Sequence, residues 1–139
     1  MKNILIVSNS DTCRSRMAQE ILNSFGRGMK ISTAGVLVGN SVPDVVCQVM
    51  EQNGYDFSRR KPCDVATYAQ QTWDYVITLC PEAEEVQKEM QGVVRKYVSF
   101  NFADPFRGGI HADDEQEERV VALYDAMHKE LYELSLIHI

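Results

Sequence analysis

The sequence predicts an α/β fold, a three-layer αβα arrangement built on a four-stranded parallel sheet, and three observations carry that prediction. Short apolar runs rich in β-branched residues alternate with longer segments whose apolar residues recur at helical spacing. The first run, Ile4-Leu5-Ile6-Val7, is nearly continuous in apolar residues, as a strand covered on both faces must be. A helical or turn-forming segment separates each run from the next, and crossovers of that kind make neighbouring strands parallel. With 139 residues and 45% hydrophobic content, the chain suits one domain spanning 1–139 with a core of its own.

Each element has a local reason. Lys2 to Val7 reads as the first strand. Cys13 to Phe25 reads as a helix with Met17, Ile21, Leu22 and Phe25 on one face, closed by Gly26 and Gly28. Met29 to Ala34 is a second strand, ending at Gly35. Ser41 is the expected N-cap of the next helix and Pro43 its first-turn proline; Val45, Val46, Val49 and Met50 face inward and Asn53-Gly54 stops it. Asp64 to Gln71 is a short helix, Trp73 to Leu79 a third strand, Glu82 to Gln91 a helix and Val94 to Phe100 a fourth strand. Glu115 to Leu134 is a long helix whose apolar stripe runs through Val120, Val121, Leu123, Tyr124, Met127, Leu131 and Leu134.

Composition excludes several classes of function. The net charge of −6 argues against a nucleic-acid partner. No apolar run reaches the roughly 20 residues that span a bilayer, and no signal-peptide cleavage pattern is visible, so a cytoplasmic protein without a membrane partner is expected. Cys13, Cys47, Cys63 and Cys80 lack paired ligand spacing; they read as free thiols, with no metal and no cofactor. The acidic residues within 82–89 and 113–118 read as solvated helix faces. Positive charge gathers at Arg14-Arg16 and Arg59-Arg60-Lys61, a pairing that fits a small anionic ligand or a plain solvated loop.

Chemistry concentrates where the first strand ends. Ser8-Asn9-Ser10-Asp11-Thr12-Cys13-Arg14-Ser15 is a run of mostly small polar residues between a strand and a helix start. Backbone N–H groups converge in such a turn, and the helix dipole adds partial positive charge. Arg14 supplies a planar fork for a tetrahedral oxyanion. Strand exits at Ser8, at Cys80 and after Phe100 meet at one edge of a parallel sheet, where ligands of such sheets sit.

The order of these residues resembles the phosphate loop of the low-molecular-weight protein tyrosine phosphatases and of the related thioredoxin-coupled arsenate reductases. Both carry Cys, five residues, Arg, Ser at the end of the first strand; here Thr12-Cys13-Arg14-Ser15 with Met17-Ala18 matches, and the resemblance extends in order along nearly the whole chain. It implies a loop in which Asn9, Ser10, Asp11, Thr12, Cys13, Arg14 and Ser15 bind a phosphate, a sulfate or a phosphotyrosine-bearing ligand. It also implies a general acid at Asp104, within Asn101-Phe102-Ala103-Asp104-Pro105-Phe106, that protonates the leaving oxygen. Ser32-Thr33-Ala34-Gly35 resembles the Ser-Ala-Gly that follows the second strand in both families, where a hydroxyl can brace the phosphate loop.

Three departures stand beside the match. Ser8 occupies the position of the nucleophilic cysteine, and a hydroxyl is far less acidic than a thiol. Ser10 and Asp11 stand where the family has Gly and Asn. Asp11 can keep a left-handed turn, but would oppose a dianion if it faced inward. No histidine among His111, His128 and His138 is placed to serve Ser8 as a base. Cys13 directly precedes Arg14, whereas the resemblance places the attacking group six residues before that arginine; it reads as a buried or second thiol of the loop. On the arsenate-reductase side, Cys80 matches one relay cysteine, but Gln87 stands where the other would be. The expectation is therefore a phosphatase-like protein that binds an oxyanion at 8–15 with the cysteinyl-phosphate route impaired, either a diverged inactive member or an engineered Cys→Ser variant. The alternatives are a non-catalytic interaction module and a diverged arsenate reductase. The oligomeric state stays open.

Overall fold

In the computed structural model, residues 2–26, 28–57, 60–107 and 113–137 are described. Four strands, β1 (Lys2–Ser8), β2 (Met29–Gly35), β3 (Trp73–Thr78) and β4 (Val94–Ser99), form one sheet in the order β2-β1-β3-β4. All three pairings are parallel, with Ser8 opposite Gly35 and Val7 opposite Thr78. β1 is central, which is why Ile4 through Ser8 are all buried. β4 is an edge, and its Arg95 and Lys96 are exposed, as charged residues that blunt an edge should be.

The pleat divides the core in two. Ile4, Ile6, Ile77 and Leu79 point into a cluster with Met17, Ile21 and Leu22 of α1 (Arg14–Phe25), Val46, Val49 and Met50 of α2 (Asp44–Gln52), and Val120, Met127 and Leu131 of α4 (Asp113–Ile137). Leu5, Val7, Val76 and Cys80 point the other way, toward Val65 of a 3₁₀ turn (Val65–Tyr68), Ala83 of a second 3₁₀ turn (Pro81–Glu85) and Val86 of α3 (Val86–Glu89). The three layers and the parallel sheet agree with the sequence reading. The chain turns from β2 back across β1 to β3, so the carboxyl ends of β1 and β3 frame a crevice where the strand order reverses.

Several local expectations need correction. Ser41 does not cap α2: Pro43 holds the cap position in extended backbone, and no side-chain cap bond forms. Proline's fixed φ sets the entry there instead. Val121 leaves the apolar stripe of α4 and is 38% exposed, because one residue past Val120 it is turned about 100° around the helix from the side that carries Val120. The helix expected over 82–91 is a 3₁₀ turn that continues into a four-residue α3, and 64–71 condenses to the 3₁₀ turn at Val65–Tyr68. Asp64 caps that turn by accepting from Ala66 N–H at 2.8 Å. Arg59, His111 and His138 lie outside the described residues, and no helix among the described residues is long and apolar enough to cross a membrane.

Candidate functional site

β1 delivers Ser8, 2% exposed, to the sheet's carboxyl edge. The chain then reverses sharply, with Asp11 in the left-handed region at φ 57°, to enter α1 at Arg14. Aspartate tolerates that conformation better than most residues do. Gly35, next to this turn on β2, has no room for a side chain: a Cβ there would sit 2.8 Å from the Ser10 carbonyl carbon and 2.9 Å from Asp11 N. Val36, Leu37 and Gly39 then donate backbone N–H bonds to the carbonyls of Ser8, Asn9 and Ser10. The loop carbonyls are thereby turned outward, toward the segment after β2. The N–H groups of Asn9, Ser10, Thr12 and Cys13 meet no acceptor among the described residues.

Within the turn, three side chains close a circuit. Ser8 Oγ donates to Ser15 Oγ at 2.9 Å; Ser15 Oγ donates to Asp11 Oδ1 at 2.6 Å; Asp11 N–H donates to Ser8 Oγ at 3.2 Å. The second carboxylate oxygen of Asp11 accepts from Cys63 N–H at 2.9 Å. Asp11 is fully buried, and its charge lies near the Arg16 guanidinium, which is itself only 1% exposed. Burial and the neighbouring Arg60 hold Arg16 below the usual guanidinium range, with Asp11 acting in the opposite direction. The carboxylate is thus engaged inside the loop and does not line the hollow.

That hollow is a cavity of about 150 Å³ lined by Ser8, Ser10, Thr12, Cys13, Arg14, Pro43, Asp104 and Phe106. Arg14 Nη1 donates to the Phe102 carbonyl at 3.0 Å, tying the turn to the loop after β4. In that loop Asp104 Oδ1 accepts from Phe106 N–H at 2.9 Å, an Asx turn that holds the carboxyl at the cavity wall. Gln116 Nε2 of α4 donates to the Pro105 carbonyl at 2.6 Å and anchors the loop from behind. The structure therefore brings Ser8 and Arg14, at the two ends of one turn, and Asp104, some ninety residues further on, to one cavity.

Cys13 and Cys80 are poor nucleophiles here. Burial, reinforced by Asp104, pushes the Cys13 thiol far above the thiol range, and only the weaker effect of Arg14 opposes it. Its Sγ lies against Met17 Sδ at 3.8 Å. Cys80 is 1% exposed, and burial raises it too. Exposed Gln87 lies on α3. Among the described residues, no group of three or more His, Cys, Asp or Glu side chains could hold a metal ion.

Two expectations shift. The Thr33 hydroxyl accepts from Arg60 Nη2 at 2.6 Å, so Thr33 secures Arg60 and the loop is braced by Gly35 and Asp11 instead. Arg60 also donates to Gln19 Oε1 at 3.1 Å and gives its carbonyl to Arg16 at 2.7 Å, which makes it a tie between segments while Lys61 alone of this pair is exposed. His128 is on the exposed side of α4, edge-on to Phe25 with ring centroids 4.9 Å apart. Gln116 escaped the sequence reading; its one signal was an amide within an otherwise acidic opening turn.

The family model described as "Low molecular weight phosphotyrosine protein phosphatase" matches residues 3–133. The chain belongs to that family. It is 27% identical over 135 residues to the probable low molecular weight protein-tyrosine-phosphatase EpsP of Ralstonia nicotianae, covering 91% of this chain and 93% of that one. It is 29% identical over 80 residues to the glutaredoxin arsenate reductase of Synechocystis sp., covering 58% of this chain and 61% of that relative, under two thirds of its length. Among solved structures, an arsenate reductase in its phosphate-binding state superposes with TM-score 0.73 at 20% identity, over 98% of both chains. The tyrosine phosphatase Wzb of Escherichia coli K30, in complex with sulphate, gives 0.71 at 22% identity over 96% of this chain and 99% of that one. At such identities the two structures establish the shared fold. Family membership rests on the match over 3–133.

Proposed function

We propose that this member of the family binds a phosphate monoester or a comparable tetrahedral oxyanion in the loop 8–15, with Arg14 as the charged fork and Asp104 as the acid facing the leaving oxygen. One observation carries the reading: Ser8, Arg14 and Asp104 line a single cavity, while the only carboxylate within the turn, Asp11, is bound up behind it. The N–H groups without protein acceptors suit the equatorial oxygens of such an anion, and the N-terminus of α1 adds favourable potential. The solved relatives in phosphate-binding and sulphate-bound states are consistent with a ligand of this shape.

The family's route through a cysteinyl phosphate is impaired by Ser8, since a hydroxyl presents almost no alkoxide near neutral pH. Arsenate reduction through a thiol relay fits poorly, because Cys80 is buried and position 87 is glutamine. Isothermal titration with inorganic phosphate and with vanadate tests the reading. Saturable binding in the millimolar range or tighter, lost in Arg14→Ala, is expected. A protein that stays folded and takes up neither anion rejects it.

A further inference from the structure

The circuit behind Ser8 has a direction. Asp11 offers only acceptor atoms to Ser15, so the Ser15 proton points to the carboxylate and the Ser15 lone pair is left for the Ser8 proton. From this we infer that Ser8 is a working nucleophile, served by a two-step hydroxyl relay, Ser8 to Ser15 to Asp11, that ends on a buried carboxylate. The inference rests on the oxyanion-binding reading above and adds the attacking atom and its base.

Three features make the relay chemically coherent. Both transfer distances, 2.9 and 2.6 Å, lie within hydrogen-bond range for proton movement. The same residue that takes the proton also supplies a donor: Asp11 N–H, 3.2 Å from Ser8 Oγ, faces the oxygen on which negative charge grows. Asp11 is also held independently of the relay, by its left-handed backbone and by Cys63 N–H on Oδ2, so its base-bearing oxygen is fixed on Ser15. An asparagine at 11 could brace the turn equally well. It could not accept the proton. An attacking thiolate would gain nothing from that carboxylate, whereas an attacking alcohol needs it.

The step balances. Ser8 Oγ forms a bond to phosphorus as the bond from phosphorus to the leaving oxygen breaks. The Ser8 proton passes to Ser15 Oγ while the Ser15 proton passes to Asp11 Oδ1, and the leaving oxygen takes the proton of Asp104. Water then attacks the phosphoserine, giving its proton to Asp104, and Asp11 returns its proton through Ser15 to the departing Ser8 oxygen.

A crossed substitution experiment separates a base from a brace. para-Nitrophenyl phosphate is the substrate, inorganic phosphate binding is measured for every variant, and the chain is analysed for acid-stable phosphoserine at Ser8. The expected results are phosphoserine on the unmodified chain and a fall in nitrophenol release of at least about 100-fold in Asp11→Asn with phosphate affinity retained. In the Ser8→Cys background, Asp11→Asn is expected to raise activity, because a negative charge near the thiolate is removed. A fall of similar size in both backgrounds, no fall in the serine background, or absence of phosphoserine in a chain that binds phosphate overturns the inference. Failure of the unmodified chain to bind phosphate instead removes the reading on which it depends.

Discussion

The two loops that face each other across the cavity are built in opposite ways. The turn between β1 and α1 is buried and over-determined: Ser8, Asp11 and Ser15 bond to one another, Cys63 N–H holds Asp11, and the backbone of β2 leaves no space behind Ser10. The loop after β4 is held by ties to other segments, Phe102 N–H to the Leu79 carbonyl, Arg14 to the Phe102 carbonyl and Gln116 to the Pro105 carbonyl, with Asp104 half-buried among them. An anion receptor closed on itself is therefore paired with an acid whose loop is held from other segments of the chain. Binding should depend on the first region and turnover on both.

The largest expected effect comes from the first region. Ser8→Cys should increase aryl-phosphate hydrolysis at least about 100-fold, as nitrophenol release, because it supplies a nucleophile whose pKa the loop can bring into range. No gain would mean that Ser10 and Asp11 have remodelled the receptor itself. Next, in that thiol background Asp104→Asn should lower kcat about 100-fold and leave phosphate affinity within a small factor. Equal losses in both would show that the second loop shapes the receptor, erasing the contrast. Gly35→Ala should cost about 1–3 kcal/mol in denaturant unfolding and weaken phosphate binding, since the new Cβ would meet loop backbone at 2.8 Å. Gln116→Ala should cost only about 1 kcal/mol, and lower kcat more than affinity.

The smallest effect concerns pH. The folded chain holds the Cys13 proton more tightly than the unfolded chain does, so the stability from this group is fully present below the ordinary thiol pKa and declines as pH rises through it. The fall in melting temperature between neutral and alkaline pH should therefore be shallower in Cys13→Ala. An unchanged slope would show that Cys13 is ionised in the fold.

Much of this was legible in the sequence. Ile4 to Val7 announced a central buried strand by continuity, and the spacing from Ser8 to Arg14 with Asp104-Pro105 downstream identified three residues that do share a cavity. Capping was harder to read: Ser41 looked like a cap because its side chain suits one, but Pro43 sets the helix start by its fixed φ. Asp11 was ambiguous because sequence gives residue type without direction, and direction decides whether a carboxylate repels the ligand or braces the turn. The bond from Arg60 to Thr33 is hidden for a related reason: the two residues lie 27 positions apart, and nothing local encodes that pairing.

The bond from Arg14 to the Phe102 carbonyl uses one of the five N–H donors of a guanidinium. It aligns the side chain without consuming it. Freezing a long flexible side chain on association costs about 0.5–1.5 kcal/mol, and here folding has already met that cost. An arriving anion encounters a fork set in advance, and the same bond carries the orientation of that fork to the acid-bearing loop opposite.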